Sequence, residues 1–216
     1  TIWSFEPDWL YDLTWQARPR AVVDKRFSGQ GKWLILADRD SVGAALAKLL
    51  EAKGETCTLA LSYETAVEQV LADSWRGIID LGSLDVPLNS AMTSCEGALH
   101  LVQMLAQREG AAKPRLWLIT RGAQAVNSEP LALAQTPLWG LGRVTALEHP
   151  ELWGGLIDLP SAGTADDATT LFDEIWESDR EDQVAFREGV RYVARLMRSQ
   201  EKPSKTQPLT LRADAT

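Results

Sequence analysis

A chain of 216 residues can bury one sizeable hydrophobic core, and its length does not demand a second domain. Apolar content of 45% and charged content of 24% are ordinary for a soluble globular protein, and a net charge of −8 disfavours nucleic acid or an anionic membrane as partner. No apolar run approaches the length of a membrane span, and Thr1–Leu10 lacks the basic-then-apolar form of a signal peptide, so a cytoplasmic location is expected.

Trp9-Leu10-Tyr11-Asp12-Leu13-Thr14-Trp15 alternates large apolar with polar residues, the pattern of a half-exposed strand. The polar, basic stretch from Arg18 to Gln30 reads as a connection. The short apolar run Trp33-Leu34-Ile35-Leu36 predicts a buried strand over 32–37. Val42, Ala45, Leu46, Leu49 and Leu50 recur at helical spacing and predict a helix over 41–53, closed by Gly54. A second strand over 56–61 leads to a helix around 64–72, and Gly77-Ile78-Ile79-Asp80-Leu81 forms a third strand. A helix over 90–107 carries Ala98, Leu101, Val102 and Leu105 inward. The fourth strand covers 115–120, and a helix over 138–148 closes before His149-Pro150. The fifth strand covers 155–159, and Ala168, Leu171, Phe172, Ile175 and Trp176 mark the face of a last helix. Residues 183–187 and 190–196 are two strands that turn at Glu188-Gly189.

Strands alternating with helices of this length predict an α/β fold, a parallel sheet with helices on both faces. The N-terminal strand and the C-terminal hairpin are expected as additions outside that series. From Ser199 the chain turns polar and proline-bearing and reads as a linker. Cys57 and Cys95 are too few for a disulfide framework and read as small buried hydrophobes. The nine tryptophans are scattered rather than periodic and read as core and interface bulk, with Trp139 and Trp153 open to either role.

The strand, tight turn and helix around residues 31–50 form the first half of a βαβ unit. In a dinucleotide-binding domain that turn reads G-x-G-x-x-G, because bare backbone must approach a pyrophosphate at the helix N-terminus. Asp38, Asp40 and Gly43 hold the three positions. Two carboxylates stand where side chains and negative charge are both unwelcome, so the site is degenerate for a cofactor. Asp40 or Ser41 is expected to cap the helix. Gly43 is expected to serve close helix–strand packing.

An enzyme of this architecture carries its site beyond the carboxyl ends of the strands. The residues there are Asp38 to Ser41, Ser62, Gly82 to Asp85, Arg121 and Ser161. Asp38, Asp85 and Arg121 can be drawn as an acid–base cluster, although solvated loop charges explain them better. His100 and His149 have no partner at metal-ligand spacing, and neither a nucleophile elbow nor a phosphate loop occurs. Gly140 and Gly142 are expected to permit close packing of a helix on its neighbours.

Longer strings of residues resemble a known family. They are QTPLWGLGRV at 135–144, LEHPELWGGLIDLP at 147–160, WLITRGAQAV at 117–126 and QVAFREGVRYVARL at 183–196. Together they are similar to the ketoreductase region of modular type I polyketide synthases, and the likeness runs from about Trp9 to Leu196. The resemblance implies two halves, each like a short-chain dehydrogenase. The first is a truncated Rossmann-like fold without a cofactor. The second binds NADPH and carries a Tyr–Ser–Lys–Asn set. This chain looks like the first half alone. The family's catalytic tyrosine has a basic residue four positions on, whereas Tyr11, Tyr63 and Tyr192 are followed there by Trp15, Val67 and Leu196.

The resemblance therefore implies a structural subdomain over 1–198 and a linker over 199–216 leading to a catalytic half. Arg212–Thr216 would lead into that half's first strand. No catalytic residue, cofactor or metal is expected within this chain. Its implied partners are the catalytic half, other synthase domains (methyltransferase, dehydratase or enoylreductase) and, indirectly, the acyl carrier protein. In this family the first and last strands tie the two halves together. Two other readings stand beside it: a stand-alone NADPH-dependent reductase, and a module that binds an acyl carrier or small molecule.

Overall fold

Each apolar run of the sequence becomes a strand, and each stretch of helical spacing becomes a helix. The computed structural model describes residues 10–21, 27–39, 42–85, 91–108, 113–177 and 179–199. In chain order the elements are β1 (Tyr11–Ala17), β2 (Lys32–Leu36), α1 (Val42–Glu51), β3 (Thr56–Ala60), α2 (Tyr63–Ala72), β4 (Gly77–Asp80) and α3 (Ala91–Gln107). They continue with β5 (Arg115–Arg121), α4 (Thr136–Glu148), β6 (Trp153–Leu159), α5 (Asp167–Trp176), β7 (Gln183–Arg187) and β8 (Val190–Arg198). The α4 helix starts two residues before the expected 138, because Pro137 fits the first turn, where its missing N–H is not needed.

One eight-stranded sheet has the order β1-β8-β7-β6-β5-β4-β2-β3. Strands β2 to β7 pair in parallel, and β1 and β8 are antiparallel additions. β7 thus belongs to the parallel series through β6 and to the hairpin through β8. The hairpin turns on Glu188 and Gly189, both at positive φ (51° and 74°), the primed-turn geometry that matches strand twist. The fold is Rossmann-like, as the alternation of elements requires.

Side chains alternate across each strand, so the sheet feeds two cores. Leu34, Leu36, Ile78, Leu116, Leu118 and Leu156 meet α2, α3 and α4 through Val70, Leu101, Leu105, Leu138 and Trp139. Trp33, Ile35, Ile79, Trp117, Ile119 and Ile157 meet α1 and α5 through Leu46, Leu50, Leu171 and Ile175. Trp33 and Trp117 approach to 5.6 Å between ring centroids. Gly77 leaves the room for both: a Cβ there would stand 2.4 Å from Trp33 and 2.8 Å from Trp117. Trp139 and Trp153 are 1% and 6% exposed, so both are core residues rather than a docking surface.

An ion-pair hub ties β8 and the segment after β1 to this body. Arg191 on β8 grips Glu174 of α5 through Nε and Nη2 (2.8 and 2.7 Å) and Asp179 through Nη2 (2.8 Å), and donates to the Arg18 carbonyl. Arg20 also reaches Glu174, and the Ala21 amide donates to Asp179. Burial raises the Asp179 carboxyl, but the Arg191 hydrogen bonds and charge and the Ala21 amide outweigh it and hold the group below its ordinary value.

Candidate functional site

The chain turns one way from β2 to β3 and the other way to β4, so the crevice of an open α/β sheet falls beyond the ends of β2 and β4. Asp38 leaves β2 and lies 8% exposed beneath α1. Its Oδ1 accepts from the Gly43 amide at 2.8 Å and its Oδ2 from the Val42 amide at 3.1 Å. The free amides of a helix N-terminus are its anion site, and here a carboxylate of the chain itself fills it. The expected cap at Asp40 or Ser41 lies outside the described residues; among those described, Asp38 takes the Val42 and Gly43 amides. Gly43 packs as its position predicts, since a Cβ would stand 3.0 Å from Leu81 and 3.3 Å from Ala37 and Ile35.

Asp80 ends β4 and is 1% exposed. Its Oδ2 accepts from the Tyr63 hydroxyl at 2.9 Å and its Oδ1 from the Gly82 amide at 2.9 Å. Burial pushes the Asp80 carboxyl up to about 6, against the pull of those two hydrogen bonds. Burial and then the Asp80 charge raise the Tyr63 hydroxyl far above its ordinary value. Tyr63 opens α2 and lies over Gly97 of α3, where a Cβ would stand 2.2 Å from the ring.

Two strands away, Asp158 of β6 is fully buried. The Thr120 hydroxyl (2.6 Å), the Ala123 amide (2.9 Å), the Gln124 amide (3.1 Å) and Arg187 Nη2 (2.5 Å) all donate to it. Trp139 Nε1 donates to Thr120 Oγ1 in turn, so α4, β5, β6 and β7 share one network. Arg187 also donates to the Gln124, Phe186 and Leu159 carbonyls. Within the pair only Arg187 Nε lacks a hydrogen bond among the described residues, with Glu129 3.6 Å away, and the other bonds of the pair offset its desolvation and fix the loop after β5.

The structure does not assemble Asp38, Asp85 and Arg121 into an acid–base cluster. Asp85 accepts from the Arg39 amide at 2.7 Å, and Arg121 pairs with Asp167 at 2.6 Å. Ser62 caps α2 by accepting from the Thr65 amide, and Ser161 donates to Glu129. Gly142 allows α4 to press on Leu156, where a Cβ would clash at 2.9 Å, whereas nothing lies within 4 Å of the Cβ position of Gly140. Among the described residues Gly140 thus meets no neighbour, unlike the expected close packing. His100 is exposed on α3, and His149 lies 3.6 Å from Glu151. Among the described residues, no three His, Cys, Asp or Glu side chains gather as a metal set, and no helix is long and apolar enough to cross a membrane. A depression of about 410 Å³ lies at the opposite end of the strands, where Lys32 pairs with Asp73 and Arg76 with Glu55.

The family described as polyketide synthase extender module SpnB, Rossmann fold domain, matches residues 13–196. The chain belongs to that family. It is 33% identical over 220 residues to a phenolphthiocerol/phthiocerol polyketide synthase protein of Mycobacterium tuberculosis, covering 97% of this chain and 14% of that protein. It is 32% identical over 216 residues to pikromycin polyketide synthase component PikAII of Streptomyces venezuelae, covering 91% of this chain and 6% of that protein. The chain thus spans a small fraction of the curated relatives it matches. A C2-type ketoreductase from a modular polyketide synthase superposes with a TM-score of 0.69 at 29% identity, over 89% of this chain and 44% of that one. The first ketoreductase of the tylosin synthase gives 0.69 at 27% identity, over 89% and 42%. This SpnB-type domain is accordingly a ketoreductase-region domain of a polyketide synthase.

Two features of the domain escape a motif search. Asp80 and Asp158 close the similar strings Gly77-Ile78-Ile79-Asp80-Leu81 and Gly155-Leu156-Ile157-Asp158-Leu159. An aspartate inside a buried-strand pattern signals a buried acceptor, and both residues are that. Their partners Tyr63, Thr120 and Arg187 lie at distances along the chain that no spacing rule encodes.

Proposed function

We propose that this domain is the non-catalytic structural subdomain of a ketoreductase region, formed by residues 1–198, with 199–216 as a linker toward a catalytic half. Its work is to stabilise and position that NADPH-binding neighbour during polyketide chain modification. Methyltransferase, dehydratase or enoylreductase domains of the same synthase are further neighbours, the acyl carrier protein meets it indirectly, and the setting is cytoplasmic.

The observation that carries this reading is Asp38. Its carboxylate takes the Val42 and Gly43 amides of α1, the groups a cofactor pyrophosphate would need. A dianionic pyrophosphate approaching that point would meet a like charge and find the donors engaged. The coverage of 44% of a C2-type ketoreductase by 89% of this chain supports assigning it to one half of such a unit. The three tyrosines support it too, because none has a basic residue four positions on.

Titration with NADPH, followed by tryptophan quenching and cofactor fluorescence together, tests the reading. Trp33 lies in the strand that feeds α1 and reports on that end of the core. No binding at millimolar cofactor is expected. Co-expression with the downstream half is expected to yield a complex that melts higher than that half alone. Saturable micromolar NADPH binding would refute the scaffold role and restore the reductase reading.

A further inference from the structure

The parallel strands β5, β6 and β7 end side by side, at the end of the sheet where open α/β folds place their ligands. The loop after β5 lies across these ends. Its Ala132 amide donates to the Gly122 carbonyl, which draws the two ends of residues 122–132 together in the manner of an Ω-loop. Buried groups fix its near end: Asp158 takes the Ala123 and Gln124 amides, and Arg187 donates to the Gln124 carbonyl. Gly122, at a φ of 63°, lets Ser161 come close, since a Cβ there would stand 3.1 Å from the Ser161 Cβ. Ser161 is thereby set against the loop.

Glu129 of this loop turns its carboxylate into a set of donors. Its Oε2 accepts from Ser161 Oγ at 2.8 Å and its Oε1 from Asn127 Nδ2 at 3.2 Å, and the Ser161 amide adds to them. Arg187 Nε is buried, stands 3.6 Å from Oε2 and has no acceptor in hydrogen-bond reach among the described residues. The Arg187 side chain is 2% exposed, whereas that of Glu129 is 30% exposed. The Ser161 and Asn127 hydrogen bonds, and more weakly the Arg187 charge, hold the Glu129 carboxyl below its ordinary value.

We propose that Ser161, Asn127 and Arg187 form a carboxylate site with Glu129 as its built-in occupant, and that a small organic carboxylate exchanges with Glu129 there, a property separate from the scaffold role. Ser161 and Arg187 address one oxygen and Asn127 the other, which suits the two acceptor oxygens of a carboxylate. The partly exposed Glu129 side chain swings out by a change of rotamer, and the loop keeps its path because Asp158 and Arg187 hold it. The donors left behind are therefore preorganised. A buried N–H without an acceptor is costly, and a carboxylate free of the chain can approach Arg187 Nε more closely than the tethered Glu129 does. Asp158 already balances the Arg187 charge at Nη2, so the site takes a singly charged carboxylate by hydrogen bonding rather than a phosphate dianion by charge.

Rescue of Glu129→Ala by acetate in the full chain tests the proposal. The variant empties the site without touching the Asp158–Arg187 pair and is expected to melt below wild type. Acetate is expected to raise its melting temperature saturably, in the millimolar range, beyond the effect of chloride at equal ionic strength. The Arg187 Nε–H resonance is expected to shift along the same titration. Wild type is expected to show that shift at least about tenfold more weakly, because Glu129 competes, and Glu129→Ala/Ser161→Ala is expected to lose about tenfold of the gained affinity. A Glu129→Ala chain that responds equally to acetate and chloride overturns the proposal. So does an acetate response that leaves the Arg187 Nε–H unmoved or survives Ser161→Ala undiminished, and so does a wild-type resonance that acetate never shifts. Inorganic phosphate binding more tightly than acetate overturns the assignment to a carboxylate.

Discussion

Replacing Asp80 with asparagine should stabilise the protein increasingly as pH rises. Asp80 is fully enclosed, with Tyr63 of α2 and the Gly82 amide as its donors and Cys95 of α3 close enough to Tyr63 to influence it. Burial raises its carboxyl from an ordinary 3.8 to about 6. A folded value above the unfolded one means the fold prefers the protonated acid. That preference is fully present below about pH 3.8, is lost as pH rises toward 6, and is absent above it. The gap corresponds to about 3 kcal/mol in total, of which about 2 kcal/mol falls between pH 4 and pH 8. Asparagine keeps an oxygen for the Gly82 amide and offers an N–H to the Tyr63 oxygen, without a charge to desolvate. Urea unfolding of wild type and Asp80→Asn at matched pH isolates this group, because the remaining carboxylates cancel in the difference. The variant's stability relative to wild type should climb by about 2 kcal/mol from pH 4 to pH 8. A difference that stays flat, or that falls with pH, would refute the assignment of burial as the dominant influence on Asp80.

Other substitutions test the remaining contacts. Asp38→Ala leaves the Val42 and Gly43 amides unmet and should cost about 1 kcal/mol in urea unfolding. Gly77→Ala drives a methyl into the Trp33–Trp117 pair and should cost about 1 to 3 kcal/mol, with a changed near-ultraviolet dichroism from the displaced indoles. Arg191→Met leaves Glu174 and Asp179 without their main counter-charge and should cost about 3 kcal/mol or more, with faster amide exchange in β1 as the local sign. Burial and then the charges of Glu51 and Glu55 push the Cys57 thiol up to about 12, so at pH 8 it should react with a disulfide reagent far more slowly than a free cysteine.

The element order and the Rossmann-like class were legible because both rest on local periodicity. Buried parallel strands are near-continuous apolar runs, and Trp33–Leu36, Ile78–Ile79 and Leu116–Ile119 are such runs. That acidic residues follow β2 was legible, since Asp38 and Asp40 stand there in the sequence. Which carboxylate fills the helix N-terminus was not, because capping depends on the path of three or four residues and not on their types. Asp38 reaches Gly43 from five residues away. Trp139 and Trp153 likewise could be core or surface until the sheet placed them against Thr120 and Asp182.

The sequence by itself determined the strands, the helices, their faces and the family strings, because each depends on neighbours along the chain. Only the tertiary structure decided that Asp158 meets Arg187, that Asp80 meets Tyr63 and that Arg191 of β8 joins the segment after β1 to α5. These partners come from different strands and helices, and their meeting depends on strand order and crossing geometry. It also decided that β1 joins at the sheet edge with its odd-numbered backbone groups facing out. An alternating pattern specifies a strand with two faces, whereas which of its two edges is paired is set by the strand it finds.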